Sequence, residues 1–199
     1  MKNSGMSYDL ICADFSGDRF VNKITNLGEQ YTKKAFAFLG CTFGNIKHTR
    51  IVDVLSHMLL AGERIWIEVP LRKDCTDRGN LELIETYKGY LLDEGKRNFL
   101  CQKMLEDGIN IENGTLGLEV TPVESIGALL FTFIFTFNKK TEAMIGGKNI
   151  IFSPNRKIEL LKIHRYTPEG LISYFEQQNF TLVDKEIKGF DGQFVFEKK

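Results

Sequence analysis

Residues 35–46 read Ala-Phe-Ala-Phe-Leu-Gly-Cys-Thr-Phe-Gly-Asn-Ile, and they carry the residue types that a small-molecule site needs at short spacing. The apolar run Ala35 to Leu39 breaks at Gly40. A short polar loop follows, closed by Gly44 and Asn45, and a helical pattern starts near Thr49. The pattern predicts a buried parallel strand that runs through a glycine loop into a helix. In open α/β sheets, ligands collect just beyond the carboxyl ends of such strands. Two glycines let the backbone come close to a ligand, and the Asn45 amide offers both a donor and an acceptor. The structural alternatives for Asn45 are a cap on the following helix or a left-handed turn position.

Other chemistry-bearing residues are more scattered. His48 lies beside the loop and reads as a surface histidine at a helix start, with ligand contact as the alternative. His57 and His164 stand apart from it. Glu119 and Glu124 flank Pro122; paired carboxylates can exchange protons, but solvated loop residues are the simpler reading. Arg72-Lys73-Asp74 reads as a solvated charged turn. No G-x-S-x-G, H-E-x-x-H or P-loop is present. Cys12, Cys41, Cys75 and Cys101 form no C-x-x-C pair and have no zinc spacing, so no metal is expected. Reduced thiols in a cytoplasmic setting are the expectation.

The elements that must position these residues can be read from periodicity. The 199 residues suit one domain with a real core, and the 43% apolar share is ordinary for a globular chain. The formal net charge is zero, which argues against nucleic acid or anionic lipid as partner. The longest apolar run, Ile126 to Phe135, is too short to span a bilayer as a helix. Sixteen phenylalanines, many in 36–43 and 131–137, predict an aromatic core.

The predicted strands are Tyr8–Ala13, 35–39, 64–69, 115–121, 128–137, 157–165, 180–187 and 193–197. The predicted helices are 18–29, 49–61, 80–90, 95–105 and 168–178. Gly62 is expected to stop the helix over 49–61, Pro122 to end its strand, and Asp191-Gly192 to form the last turn. Thr167 and Pro168 read as N-cap and first residue of the last helix. Strands alternate with helices in the first half, and strands dominate the second.

Phe38-Leu39-Gly40-Cys41-Thr42-Phe43-Gly44-Asn45 resembles the "FLG-S/G-T-I-G-N" signature of the histidine-specific, S-adenosylmethionine (SAM)-dependent methyltransferases. Other pieces fall in that family's order. Ala13-Asp14-Phe15 resembles "GDF", 64–69 occupies the next strand, and Glu85-Thr86-Tyr87 stands where "AY-(N/D)-D" is expected. The resemblance spans roughly residues 9–183. It implies an α/β fold with a Rossmann-type, mostly parallel sheet and an antiparallel C-terminal hairpin. It also implies SAM as cofactor and methyl transfer to a small nucleophile, such as an amine of an amino-acid-like substrate.

Residue by residue, the resemblance puts Asp14, Phe15, Gly40 and Thr42 at the cofactor, and Asn45 and Tyr87 at the substrate carboxylate. The family's late strand "T-E-x-S-x-K-Y" is matched only at its end, by Arg165-Tyr166-Thr167. Leu161 and Ile163 occupy the Glu and Ser positions. Glu159 lies two residues earlier and reaches that place only through a register shift or bulge. The family's first strand and its glycine-rich SAM loop would lie upstream of Asp14, so the chain looks like the C-terminal half to two-thirds of such an enzyme. The whole chain is then one partial domain, with 115–162 as a β-rich insertion over the substrate side. The bare edge beside 35–39 predicts a homo-oligomer or a complementary N-terminal half as partner. The rival reading is a non-catalytic half-domain that binds a partner.

Overall fold

Apolar residues at every second position make β2 (Arg64–Pro70) a strand with one covered face. Ile65, Ile67 and Val69 are buried, whereas Arg64 and Trp66 are exposed. β1 (Ala35–Phe38) pairs with it in parallel, from Ala35 opposite Arg64 to Phe38 opposite Ile67. Between them α1 (His48–Met58) packs Ile51, Val52 and Leu55 into the core from one face. The protein is seen here as a computed structural model that describes residues 22, 33–40, 42–72 and 77–199. The expected strand over Tyr8–Ala13 and helix over 18–29 lie outside these.

The sheet continues through β9 (Asp191–Lys198) to β8 (Phe180–Lys188), in the order β1-β2-β9-β8. β9 runs antiparallel to both neighbours. The C-terminal hairpin is therefore present, but among the described residues the sheet is mixed rather than mostly parallel: one of its three pairings is parallel. The cause is the short connection between β8 and β9. A two-residue turn at Gly189-Phe190 forces an antiparallel pair, and β9 then inserts against β2 instead of lying at the edge. Asp191 and Gly192, expected in the turn, are the first residues of β9.

One face of this sheet is covered by α1 and by α4 (Pro168–Gln177), which contributes Leu171, Tyr174 and Phe175. Phe175 stacks on Phe196 at 4.1 Å between centroids. Thr167 caps α4 as expected, its hydroxyl accepting the Gly170 amide at 3.1 Å. The other face presents Ala35, Ala37, Arg64 and Trp66 to solvent. β1 is thus half-covered rather than buried.

The segment between β2 and α4 builds a second layer. α2 (Asp77–Leu92) and α3 (Glu94–Glu106) form a helical hairpin, and the Asp93 carboxylate caps α3 by accepting the Lys96 amide at 2.9 Å. The hairpin packs on a three-stranded antiparallel sheet of β3 (Gly114–Val123), β4 (Ala128–Phe137) and β7 (Lys157–Tyr166), in that order. Leu83, Tyr87 and Leu100 meet Leu129, Phe131 and Phe133, while Cys101 and Met104 meet Phe135 and Phe137. A hairpin of β5 (Thr141–Ile145) and β6 (Lys148–Phe152) caps the far end.

Two further expectations are corrected. Pro122 does not end its strand: it pairs with Leu129 inside β3, which is tolerated because β3 is an edge strand. α1 ends at Met58, with extended Leu59 as C-cap, and not at Gly62, because the buried Glu63 carboxylate takes the Leu60 amide at 2.9 Å and draws the chain out of the helix. No helix among the described residues is long and apolar enough to cross a membrane.

Candidate functional site

The loop leaving β1 is shaped by two glycines with different tasks. Gly40 adopts φ +64 with open space where a Cβ would stand, and its amide donates to Glu68 Oε2 at 2.9 Å. A side chain there would be strained by the left-handed backbone, not by neighbours. Gly44 is the reverse. A Cβ at Gly44 would lie 3.2 Å from Pro70 Cδ and 3.3 Å from the His164 carbonyl oxygen. Its close approach is to the ends of β2 and β7, where the sequence suggested a ligand.

Between them, Thr42–Asn45 makes a single 3-10 turn. The Thr42 hydroxyl donates to the Leu39 carbonyl at 2.7 Å, and its amide points to the same oxygen at 3.3 Å. Phe43 is fully buried against Phe38, Tyr166 and Phe175, which pins the turn to the core. Asn45 is exposed. It does not cap α1, whose N-cap is Lys47, and it is not among the left-handed residues. Neither structural alternative explains it, and its amide has no hydrogen-bond partner among the described residues.

Beneath the loop lies a cluster that the sequence reading missed. His48 is 6% exposed rather than a surface residue, and His164 is equally buried. Their rings meet edge to face at 4.9 Å. Tyr174 and Tyr166 enclose the pair, His48 lying 5.6 Å from Tyr174 and His164 stacking on Tyr166 at 5.9 Å. The His164 Nδ1–H donates to the Gly44 carbonyl at 2.8 Å. Both ring nitrogens of His48 and the Tyr166 hydroxyl are buried with no partner among the described residues. Burial, and then the neighbouring His164, lower the His48 pKa to about 4, so His48 is neutral at pH 7. Burial also lowers His164, offset in part by its bond to Gly44. It pushes the Tyr166 and Tyr174 hydroxyls up. The missed signal was positional: His48 precedes Ile51, Val52 and Leu55 at helical spacing, and His164 alternates with Tyr166 on one face of β7.

Tyr87 is 2% exposed, on α2, and its hydroxyl accepts from Arg165 Nε at 2.7 Å. Arg165 and His164 are consecutive in β7 and project to opposite faces. The Gly44 carbonyl is therefore held on one face of β7 and the Tyr87 hydroxyl on the other. Glu159 is further away. β7 does carry the irregularity the resemblance required: Leu161 pairs with Phe133 and Glu159 with Ile134, leaving Leu160 as the extra residue. Glu159 nevertheless faces solvent, its carboxylate 2.6 Å from Lys162 Nζ. It lies five residues from His164, roughly 15 Å along the strand. Asp14 and Phe15 lie outside the described residues, as do Cys41 and 73–76. Among the described residues no group of His, Cys, Asp and Glu could hold a metal ion.

At the carboxyl end of β1 the Gly40 amide meets Glu68 and the Thr42 hydroxyl meets the Leu39 carbonyl, and Asn45 closes the same short turn. Among the described residues nothing stands within 4 Å of where a Cβ on Gly40 would lie. The half-buried Glu68 carboxylate adjoins it, a feature legible in sequence only as a lone acid in an apolar strand.

No protein-family model and no curated protein matches this chain. Solved structures of similar outline exist. A SAM-dependent methyltransferase from Clostridium acetobutylicum superposes with a TM-score of 0.40 and 11% identity, over 98% of this chain and 66% of that one. DesVI of Streptomyces venezuelae gives 0.35 and 11%, over 84% and 60%. SAM-bound CalS10, an amino pentose methyltransferase from Micromonospora echinaspora, gives 0.32 and 12%, over 83% and 58%. The chain thus spans less than two thirds of the length of each of these. At such TM-scores the likeness decides nothing about the site, which stands on its own geometry.

Proposed function

We propose that the chain binds SAM at the carboxyl ends of β1 and β2 and transfers its methyl group to a small nucleophile, an amine of an amino-acid-like substrate. The observation that carries this reading is Asn45. It closes the segment that resembles the methyltransferase signature, sits beyond the end of a parallel strand, is exposed, and has no structural task among the described residues. The residues fit the group in two respects. Among the described residues no atom crowds the position of a Cβ on Gly40, and Glu68 supplies a carboxylate beside it that can accept from hydroxyl or amine donors. SAM supplies an electrophilic methyl carbon on a sulfonium. The protein's share of such chemistry is alignment and exclusion of water. Asn45 would donate to a substrate carboxylate, and Glu68 and the Thr42 oxygen would orient polar groups at the loop.

Isothermal titration with SAM, followed by methyl transfer from labelled SAM to a panel of amino acids, tests the reading. Binding should be weak, at or above about a micromolar (about −8 kcal/mol). The Gly40 amide and the Thr42 hydroxyl already bond within the protein, so few donors are left to the cofactor. Absence of both binding and transfer overturns the proposal.

The second reading, a non-catalytic domain that dimerises or binds a partner, has one observation in its favour. Trp66 is 43% exposed on the uncovered face of the mixed sheet, where sheets of this class usually carry helices. Light scattering that returns a monomer up to high concentration, together with methyl transfer, would remove it.

A further inference from the structure

We propose that His164 is a positioning residue for the ligand loop: through its hydrogen bond to the Gly44 carbonyl it fixes where the Thr42–Asn45 turn presents Asn45. The ligand in question rests on the methyltransferase reading; the bond and its consequence for the loop do not.

The geometry is that of a latch. Gly44 immediately precedes Asn45, and its carbonyl accepts the His164 Nδ1–H at 2.8 Å in a buried setting. A buried carbonyl that loses its donor loses its place, because water cannot replace the bond. His164 cannot drift to follow the loop. Its main chain pairs with Leu130 in β4, its ring stacks on Tyr166 at 5.9 Å, and the His48 edge meets it at 4.9 Å. On the other face of the strand, Arg165 ties to Tyr87. The end of β7 is therefore gripped from both sides, and the loop inherits that rigidity. The bare Gly44 Cα allows the contact: a side chain would lie 3.3 Å from the His164 carbonyl oxygen. The bond also fixes the tautomer, since Nδ1 must carry the proton.

Side-chain chemistry separates this role from general packing. In asparagine the amide nitrogen is attached to Cγ, as Nδ1 is in histidine, so His164→Asn keeps a donor in place. His164→Gln carries the nitrogen one bond further out, and His164→Leu has none. The test is amide hydrogen exchange over 40–46, referenced to 64–70 in β2, with SAM titration on the same four proteins. His164→Gln and His164→Leu should speed exchange in 40–46 by about tenfold relative to β2 and, because the same turn carries Thr42 at the cofactor end, weaken SAM binding by a similar factor, while His164→Asn stays near wild type. The inference is overturned if His164→Asn behaves like His164→Leu, or if exchange rises equally in both segments in every variant, which marks a packing role only. If wild type binds no SAM, the methyltransferase reading falls, and the exchange contrast still decides the role of His164.

Discussion

The Arg165 Nε donates to the Tyr87 hydroxyl at 2.7 Å, and the guanidinium carbon lies 5.5 Å from the Tyr87 ring centre. The same guanidinium reaches toward the carbonyls of Leu71 and Phe190 at 3.4 and 3.5 Å. One side chain thus joins α2, the end of β2 and the β8–β9 turn. Tyr87 is a structural joint, with its ring on Phe131 at 4.4 Å. Tyr87→Phe keeps the ring and removes the acceptor of a charged donor. Unfolding in urea should show a loss of about 1.5–3 kcal/mol. An unchanged midpoint would mean that Arg165 finds water instead.

The His48 imidazole makes stability depend on pH with a defined sign. Its folded pKa, about 4, lies below the ordinary histidine value of 6.5. The unfolded chain therefore binds the proton more readily between these values. The contribution is fully present above pH 6.5 and is lost as pH falls through the folded value near 4. Its size is on the order of 3 kcal/mol. Tyr174 and Tyr166 face His48 but stay neutral in this range, since burial raises both. Thermal midpoints should drop between pH 6.5 and 4 more in wild type than in His48→Phe, which keeps only the acid-labile share of the buried His164. The same variant should also be at least as stable at pH 7, because it removes two buried nitrogens that lack partners. A steep acid loss retained in His48→Phe would place the titrating group elsewhere.

The two loop glycines should respond differently to alanine. At Gly40 the penalty is backbone strain alone, about 1–2 kcal/mol of stability, with the Glu68 bond kept if the conformation holds. At Gly44 the added methyl must push Pro70 or the β7 backbone by a few tenths of an ångström. Gly44→Ala should therefore disturb the His164 bond and perturb the His164 ring resonances in an NMR spectrum, while Gly40→Ala leaves them in place. Identical spectra for the two variants would refute the distinction.

The parallel pair β1–β2 and its helix were legible in sequence because two apolar runs flanked one amphipathic segment. β4 was legible because every residue from Ala128 to Phe137 is apolar or Thr, which fits a central strand buried on both faces. The insertion of β9 between β2 and β8 was not legible, since pairing partners depend on tertiary packing rather than on local period. Nor was the burial of His48 and His164. A histidine on an apolar face reads as polar until the ring that covers it is known, and Tyr174 comes from α4, 126 positions away. The sequence pattern puts a ligand close to Gly44, whereas Pro70 and β7 occupy that room. Sequence gives a glycine's need for space but not the identity of what fills it.

Asn45 and Tyr87 were paired by resemblance, and the structure gives them separable tests. Asn45 is exposed and makes no hydrogen bond among the described residues, so Asn45→Ala should change stability by no more than about 0.5 kcal/mol. If its amide donates to the carboxylate of an amino-acid-like substrate, the same variant should lose about 1.5–3 kcal/mol in kcat/KM with that substrate. Transfer to simple amines that lack a carboxylate should be unaffected. Tyr87→Phe should show the converse, a stability loss with little change in the ratio between carboxylated and simple amine acceptors, because its hydroxyl is turned to Arg165 on the far face of β7. Methyl transfer measured across both acceptor classes, alongside urea midpoints, checks all four outcomes. Equal losses with both classes in Asn45→Ala would show that the loop supports catalysis without recognising a carboxylate. Asn45 would then have to act on the cofactor side of the opening, next to Gly40 and Glu68.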